Sequence, residues 1–156
     1  PKCQDCPVQK LCRAHLHDIT EEIPVKAPKK ARRTESRTVF VIQDGERTAI
    51  QKRPDKGLLA GLYELPNVKG TLSAEEAVKA VEKMKLEPLY IKELEPAKHI
   101  FSHIEWRMTG YLIRVSSLEQ KKNKKLIFVD KKQSDRQYAI PSAFGAYVKY
   151  MKEEIK

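Results

Sequence analysis

From Thr38 onward, apolar and polar positions fall into short runs that switch between a two-residue and a helical period. T-V-F-V-I at 38–42 and R-T-A-I-Q-K-R at 47–53 flank Gln43-Asp44-Gly45-Glu46. Asp-Gly supplies the positive-φ residues that tight hairpins require, so the segment predicts two strands joined by a turn. Gly57-Leu-Leu-Ala-Gly-Leu-Tyr-Glu-Leu-Pro66 reads as a long apolar loop or short strand, with glycines where the backbone must turn. Ser73-Ala-Glu-Glu76 is a capping box that opens a helix. Ala74, Ala77, Val78, Val81 and Leu86 share one face of it, while Glu75, Lys79, Glu82 and Lys83 share the other, the pattern of a helix packed on a sheet. Leu89 to Leu94 and Lys98 to Phe101 read as two further strands. Ile104, Trp106 and Met108 alternate along another that runs to Val115, and Lys124 to Val129 gives one more. Pro141 opens a last helix at its N1 position, with Phe144, Tyr147, Val148 and Met151 as its buried stripe. Strands, helix, strands, helix predict an α+β (mixed α/β) fold, a β-sheet sandwich flanked by two helices.

The residues before Thr38 lack this periodicity. Ile19 to Arg37 contains two prolines and the cations Lys26, Lys29, Lys30, Arg32, Arg33 and Arg37. Proline removes backbone donors and like charges repel, so this segment reads as an extended basic linker. The expected organisation is a cysteine-rich tail at 1–18, an interdomain linker at 19–37 and one globular domain at 38–156. As a linker the basic run is a soluble tether, or it follows a phosphate backbone through Lys29, Lys30, Arg32 and Arg33.

The charge sharpens that second reading. In 156 residues, 31 Lys and Arg stand against 21 Asp and Glu, a net charge of +10. This sign favours an anionic partner, and nucleic acid is the commonest one, because each neutralised phosphate releases a condensed counterion. The alternative is a lysine-rich solvated surface. No run approaches the roughly 20 apolar residues of a membrane span, and the N-terminus has no signal-peptide pattern, so a cytoplasmic monomer with no membrane contact is expected.

All three cysteines lie in the first twelve residues, as Cys3-x2-Cys6-x5-Cys12. An odd, clustered set argues for metal or cluster ligation over a disulfide framework. A closed tetrahedral site needs a fourth ligand, which can be His15, His17, a group elsewhere or a cysteine before Pro1. Completion by His15 or His17 would make a zinc-bearing interaction module.

Lys52 to Pro66, followed by the capped helix, resembles the Nudix fold, in which a hairpin leads through a Leu-x-x-Pro turn into the Nudix-box helix. Nudix hydrolases carry Arg-Glu-x-x-Glu-Glu on that helix to bind divalent metal. Here the turn is Asn67-Val68 and the helix offers Lys79-Ala-Val-Glu82-Lys-Met84. Hard cations recruit several oxygen ligands, so Glu82 between lysines reads as a solvated surface residue and the hydrolase chemistry as lost. A nucleotide pyrophosphohydrolase with a noncanonical metal site is the rival expectation.

Phe101-Ser102-His103, between two strands of such a domain and after a cysteine cluster and basic linker, resembles the C-terminal region of MutY-type adenine DNA glycosylases. The Cys-x2-Cys-x5-Cys pattern is similar to the end of that family's Cys-x6-Cys-x2-Cys-x5-Cys loop. The resemblance implies that Cys3, Cys6 and Cys12 are ligands of a 4Fe-4S cluster in the parent protein, with the fourth cysteine before Pro1 and the cluster absent or incomplete in this fragment. It further implies recognition of 8-oxoguanine opposite adenine in double-stranded DNA, beside an N-terminal helix-hairpin-helix catalytic domain that excises the adenine. No catalytic residue is assigned here, and the fragment is expected to be inactive alone.

The loop chemistry suits that role. Oxidation at C8 gives guanine a new carbonyl acceptor and turns N7 from an acceptor into a donor. The Ser102 hydroxyl both donates and accepts, and can rotate to meet that edge. His103 can donate to a phosphate or base edge, and Phe101 either wedges against a base or anchors the loop in the core. The alternative for Ser102 and His103 is a turn satisfying its own backbone. Trp106 alternates with Ile104 and Met108 and reads as core. Lys121, Lys122, Lys124 and Lys125 are a solvated loop or a phosphate contact.

Overall fold

The computed structural model describes residues 1–25, 31–45, 47–117, 125–130 and 137–152. It divides into two compact units, Pro1–Ala31 and Arg32–Lys156.

The first unit is a chain of short turns. Two 3-10 segments, Cys3–Asp5 and Gln9–Leu11, are followed by the single-turn helix α1, Arg13–Leu16. No side chain caps any of the three.

Among the described residues, the second unit is built on one mixed sheet of seven strands. β1 (Arg33–Gln43) and β2 (Arg47–Lys52) form the expected hairpin, with Gln43 opposite Thr48. Gly45 takes φ +105°, and the Asp44 carboxylate accepts from the Arg47 backbone N–H at 3.1 Å, which closes the turn. β3 (Tyr63–Glu64) and β4 (Asn67–Lys69) are short, and α2 (Ala74–Lys83) follows. β5 (Pro88–Ile100), β6 (Ile104–Val115) and β7 (Leu126–Asp130) complete the sheet. The order is β3-β2-β1-β6-β5, with β4 also antiparallel to β1 and β7 antiparallel to β2. β1 and β6 run parallel, from Arg33 opposite Ile104 to Gln43 opposite Arg114.

The second half of β1 in this central parallel pair is buried on both faces, so Thr38 to Gln43 form an unbroken buried run. Val39 and Val41 point into one core cluster, while Phe40 and Ile42 point into the other. α2 covers the second cluster with Ala77 and Val81. A C-terminal segment, comprising a 3-10 turn Ser142–Phe144, the short helix α3 (Gly145–Val148) and a 3-10 turn Lys149–Lys152, covers the first with Phe144, Tyr147 and Met151. The α+β architecture with a helical element on each face is thus the observed one.

Four details differ from the sequence-based expectation. Residues 33–37, assigned to the linker, are the first part of β1, because pairing with β6 supplies the order that local sequence lacks. The two strands expected at 89–94 and 98–101 are one strand, whose register shifts between Leu94 and Ala97. Pro96 lies in that shift, where its missing N–H costs no ladder bond. Pro141 precedes the last helical segment at its N-cap, and that segment is only partly α-helical. Ala74 is exposed, because it occupies the first position of α2, beyond the part that packs on the sheet. Lys124 lies outside the described residues, and β7 begins at Leu126.

Candidate functional site

In the first unit, Cys3 opens one 3-10 turn, Cys6 ends it, and Cys12 ends the next. All three are free thiols of intermediate exposure. Thiols suit zinc or an iron-sulfur cluster by donor type. They are one short in number, and among the described residues no group of three or more His, Cys, Asp or Glu is gathered to hold a metal ion. No chemical step is therefore routed through such a group. Lys29 and Lys30 lie outside the described residues, as do Lys121, Lys122 and Lys124.

In the second unit, Phe101, Ser102 and His103 form the tight connection between β5 and β6. The Phe101 N–H donates to the Ile104 carbonyl at 2.8 Å, which presents Ser102 and His103 at an exposed tip. The start of β1 lies beside this tip. The Arg33 N–H donates to the His103 carbonyl at 3.2 Å, one step beyond the register pair Arg33 and Ile104. The Arg33 side chain is 75% exposed and reaches Glu35 only at 3.6 Å. Parallel pairing therefore places Arg33 beside the loop, some seventy positions away in sequence. Arg32 is exposed next to it. On the opposite face of the same hairpin, Lys98 and Arg107 are register partners and line a pocket of about 430 Å³. Arg107 Nε donates to Glu105 at 3.0 Å.

Phe101 is the anchor of the loop. Its ring meets His99 and Trp106 edge-on, at centroid distances of 4.5 and 4.9 Å, and packs against the first core cluster. Trp106 is 1% exposed, which makes it core as expected.

The surroundings of Trp106 are not what its alternation with Ile104 and Met108 suggests. The Arg37 guanidinium lies 4.2 Å from its ring centre and that of Arg53 lies 5.6 Å away. Arg37 donates to Asn67 Oδ1 at 2.6 Å and to Glu35 Oε1 at 2.5 Å. Arg53 donates to the Leu58 carbonyl at 3.0 Å and forms an ion pair with Glu64, which also accepts from Gln51 at 2.9 Å. Two guanidinium groups and two carboxylates thus neutralise one another around the tryptophan. Trp106 Nε1 and Arg37 Nε are buried and have no hydrogen-bond partner among the described residues. The sequence signal for half of this cluster was the period-two step from Arg37 to Val39 and Val41, which places the arginine on a core-facing row.

On α2, the six residues Lys79 to Met84 carry one carboxylate, Glu82, and it is exposed. The other two carboxylates of the helix, Glu75 and Glu76, lie in its first turn, and among the described residues no group of three is gathered to hold a divalent metal.

The sequence profile of the NUDIX domain matches residues 38–150. The chain belongs to the NUDIX domain family. It is 35% identical over 109 residues to the adenine DNA glycosylase of Arabidopsis thaliana, covering 60% of this chain and 16% of that protein. The fold is similar to that of the mouse MUTYH C-terminal domain, seen in a crystal structure of its complex with human PCNA. That match has TM-score 0.57 and 18% identity, and covers 74% of this chain and 86% of that one. A MutT NUDIX hydrolase from Burkholderia pseudomallei is also similar, with TM-score 0.53 and 19% identity, covering 74% of this chain and 96% of that one. The sequence and fold relatives together support a MutY-type C-terminal region. The chain spans about a sixth of the length of the Arabidopsis relative.

Proposed function

We propose that this chain serves DNA repair by recognising 8-oxoguanine opposite adenine in duplex DNA, as the lesion-reading part of an adenine DNA glycosylase. The observation that carries the reading is the exposed Ser102-His103 tip with Arg33 hydrogen-bonded to its backbone. A hydroxyl that both donates and accepts suits the altered C8 and N7 edge of the oxidised base, while an arginine alongside suits the flanking phosphate. The chain's own residues bind and orient. Excision of adenine belongs, in this reading, to a helix-hairpin-helix domain outside this sequence, and Cys3, Cys6 and Cys12 supply three thiolates of a 4Fe-4S cluster shared with it. The pyrophosphohydrolase reading has only Glu82 to offer, flanked by Lys79 and Lys83.

The test compares affinities for 8-oxoguanine:adenine and guanine:adenine duplexes in the complete glycosylase. Ser102→Ala and His103→Ala are expected to lower the ratio of the two affinities. Arg33→Ala is expected to weaken both equally and to reduce the salt slope by about 1. A ratio unchanged in both loop variants would refute the assignment.

A further inference from the structure

A groove of about 530 Å³ runs between α2 and the β4 strand with its following loop. Val68, Leu72, Ala80 and Met84 form its floor, and all four pack on the core cluster beneath α2 while remaining half-exposed. Lys79 and Lys83, one turn apart on α2, are exposed at its rim. Lys69 also lines the rim, with its ammonium 4.0 Å from Glu35. Glu76 is the one acid there, and its carboxylate accepts the Ser73 N–H at 2.8 Å in the capping box.

Residue by residue against the hydrolase pattern Arg-Glu-x-x-Glu-Glu, the three carboxylate positions fall on Ala80, Lys83 and Met84. All three line this groove. Where that pattern has carboxylates, this chain has part of an apolar floor and its cationic rim.

We propose that this groove docks an acidic amphipathic helical segment of a partner protein, with apolar side chains on Val68, Leu72, Ala80 and Met84 and carboxylates toward Lys79 and Lys83. Charge complementarity selects an acidic occupant. The floor excludes a phosphate backbone as the better match, because phosphates bring no apolar groups to cover four half-buried side chains. A second copy of this chain, with its net charge of +10, meets the lysines with like charge. An amphipathic helix with apolar anchors at i, i+3, i+4 and i+7 and carboxylates beside them supplies both features. The inference does not depend on the base-recognition reading.

The experiment uses a fluorescein-labelled helical peptide with leucine and phenylalanine at those anchor positions and glutamate elsewhere, titrated against the whole chain by anisotropy. Methyl resonances of Ala80 and Met84 are followed in parallel. Binding is expected to move both methyls and to weaken about tenfold or more in the Lys79→Glu, Lys83→Glu double variant, which alters only exposed side chains. The proposal is overturned if the peptide does not bind, if the double variant binds as tightly, or if the shifted methyls lie elsewhere. It is equally overturned if unlabelled duplex DNA, or concentration of the chain alone, moves Ala80 and Met84 and the peptide does not.

Discussion

Gly110 is required by the ring packed on it. A Cβ built there would lie 2.2 Å from Tyr147 Cε1, and Tyr147 is wholly buried with its hydroxyl donating to the Met108 carbonyl at 3.0 Å. Neither side can yield without breaking the cover that α3 lays over the sheet. Gly110→Ala is expected to destabilise the domain by about 2 kcal/mol, the range of an overpacked core, and to lower the midpoint in a urea titration followed by tryptophan fluorescence. Burial pushes the Tyr147 hydroxyl up from 10.0 to about 12. The folded state therefore favours the neutral phenol, and that contribution is complete below pH 10 and is lost as pH rises through about 12. Between these values the urea midpoint of the native chain should fall more steeply than that of Tyr147→Phe, which has nothing to ionise there. Parallel slopes would show that Tyr147 does not couple to folding.

At the scale of the element, α2 stands on its cap. Glu76 N–H donates to Ser73 Oγ at 3.3 Å and Ser73 N–H donates to the Glu76 carboxylate at 2.8 Å. Ser73→Ala removes one of these and is expected to cost about 1 kcal/mol, read as a lower melting temperature by circular dichroism. That cap was legible in four adjacent letters, as was the Asp44-Gly45 hairpin, because both are settled by neighbours in sequence. The alternation of Ile104, Trp106 and Met108 was legible for the same reason. The continuity of β5 was not, since only the partner strand β6 shows that a register shift around Pro96 joins the two apolar runs. Likewise Arg33 to Arg37 has the composition of a linker, and the strand it joins begins at Ile104. The candidate loop was singled out by its resemblance, taken together with the cysteine cluster and basic linker before it, whereas the arginine beside it depends on a strand pairing, and only the Arg37 half of the charged cluster around Trp106 has a local signal.

At the scale of the whole molecule, that same pairing decides where the folded domain starts. The compact unit begins at Arg32, six residues before the point at which apolar alternation begins. Within those residues, Arg37 covers Trp106 and bonds to Asn67, and Glu35 holds Arg37 in place. A chain starting at Thr38 would lose this lid and half the parallel ladder against β6. Trp106 would then face water at a ring that is now 1% exposed. A desolvated guanidinium over tryptophan contributes about 2 kcal/mol, so the shortened domain is expected to unfold at least that much more easily than one starting at Arg32. Its tryptophan emission should also shift to the red, because indole emission follows solvent exposure. Equal stability and an unshifted emission would mean that Arg33 to Arg37 only drape over the sheet. Loss of both signals together would show that the basic segment is a structural strand first, and that Arg33 is delivered to the His103 backbone by the architecture of the sheet.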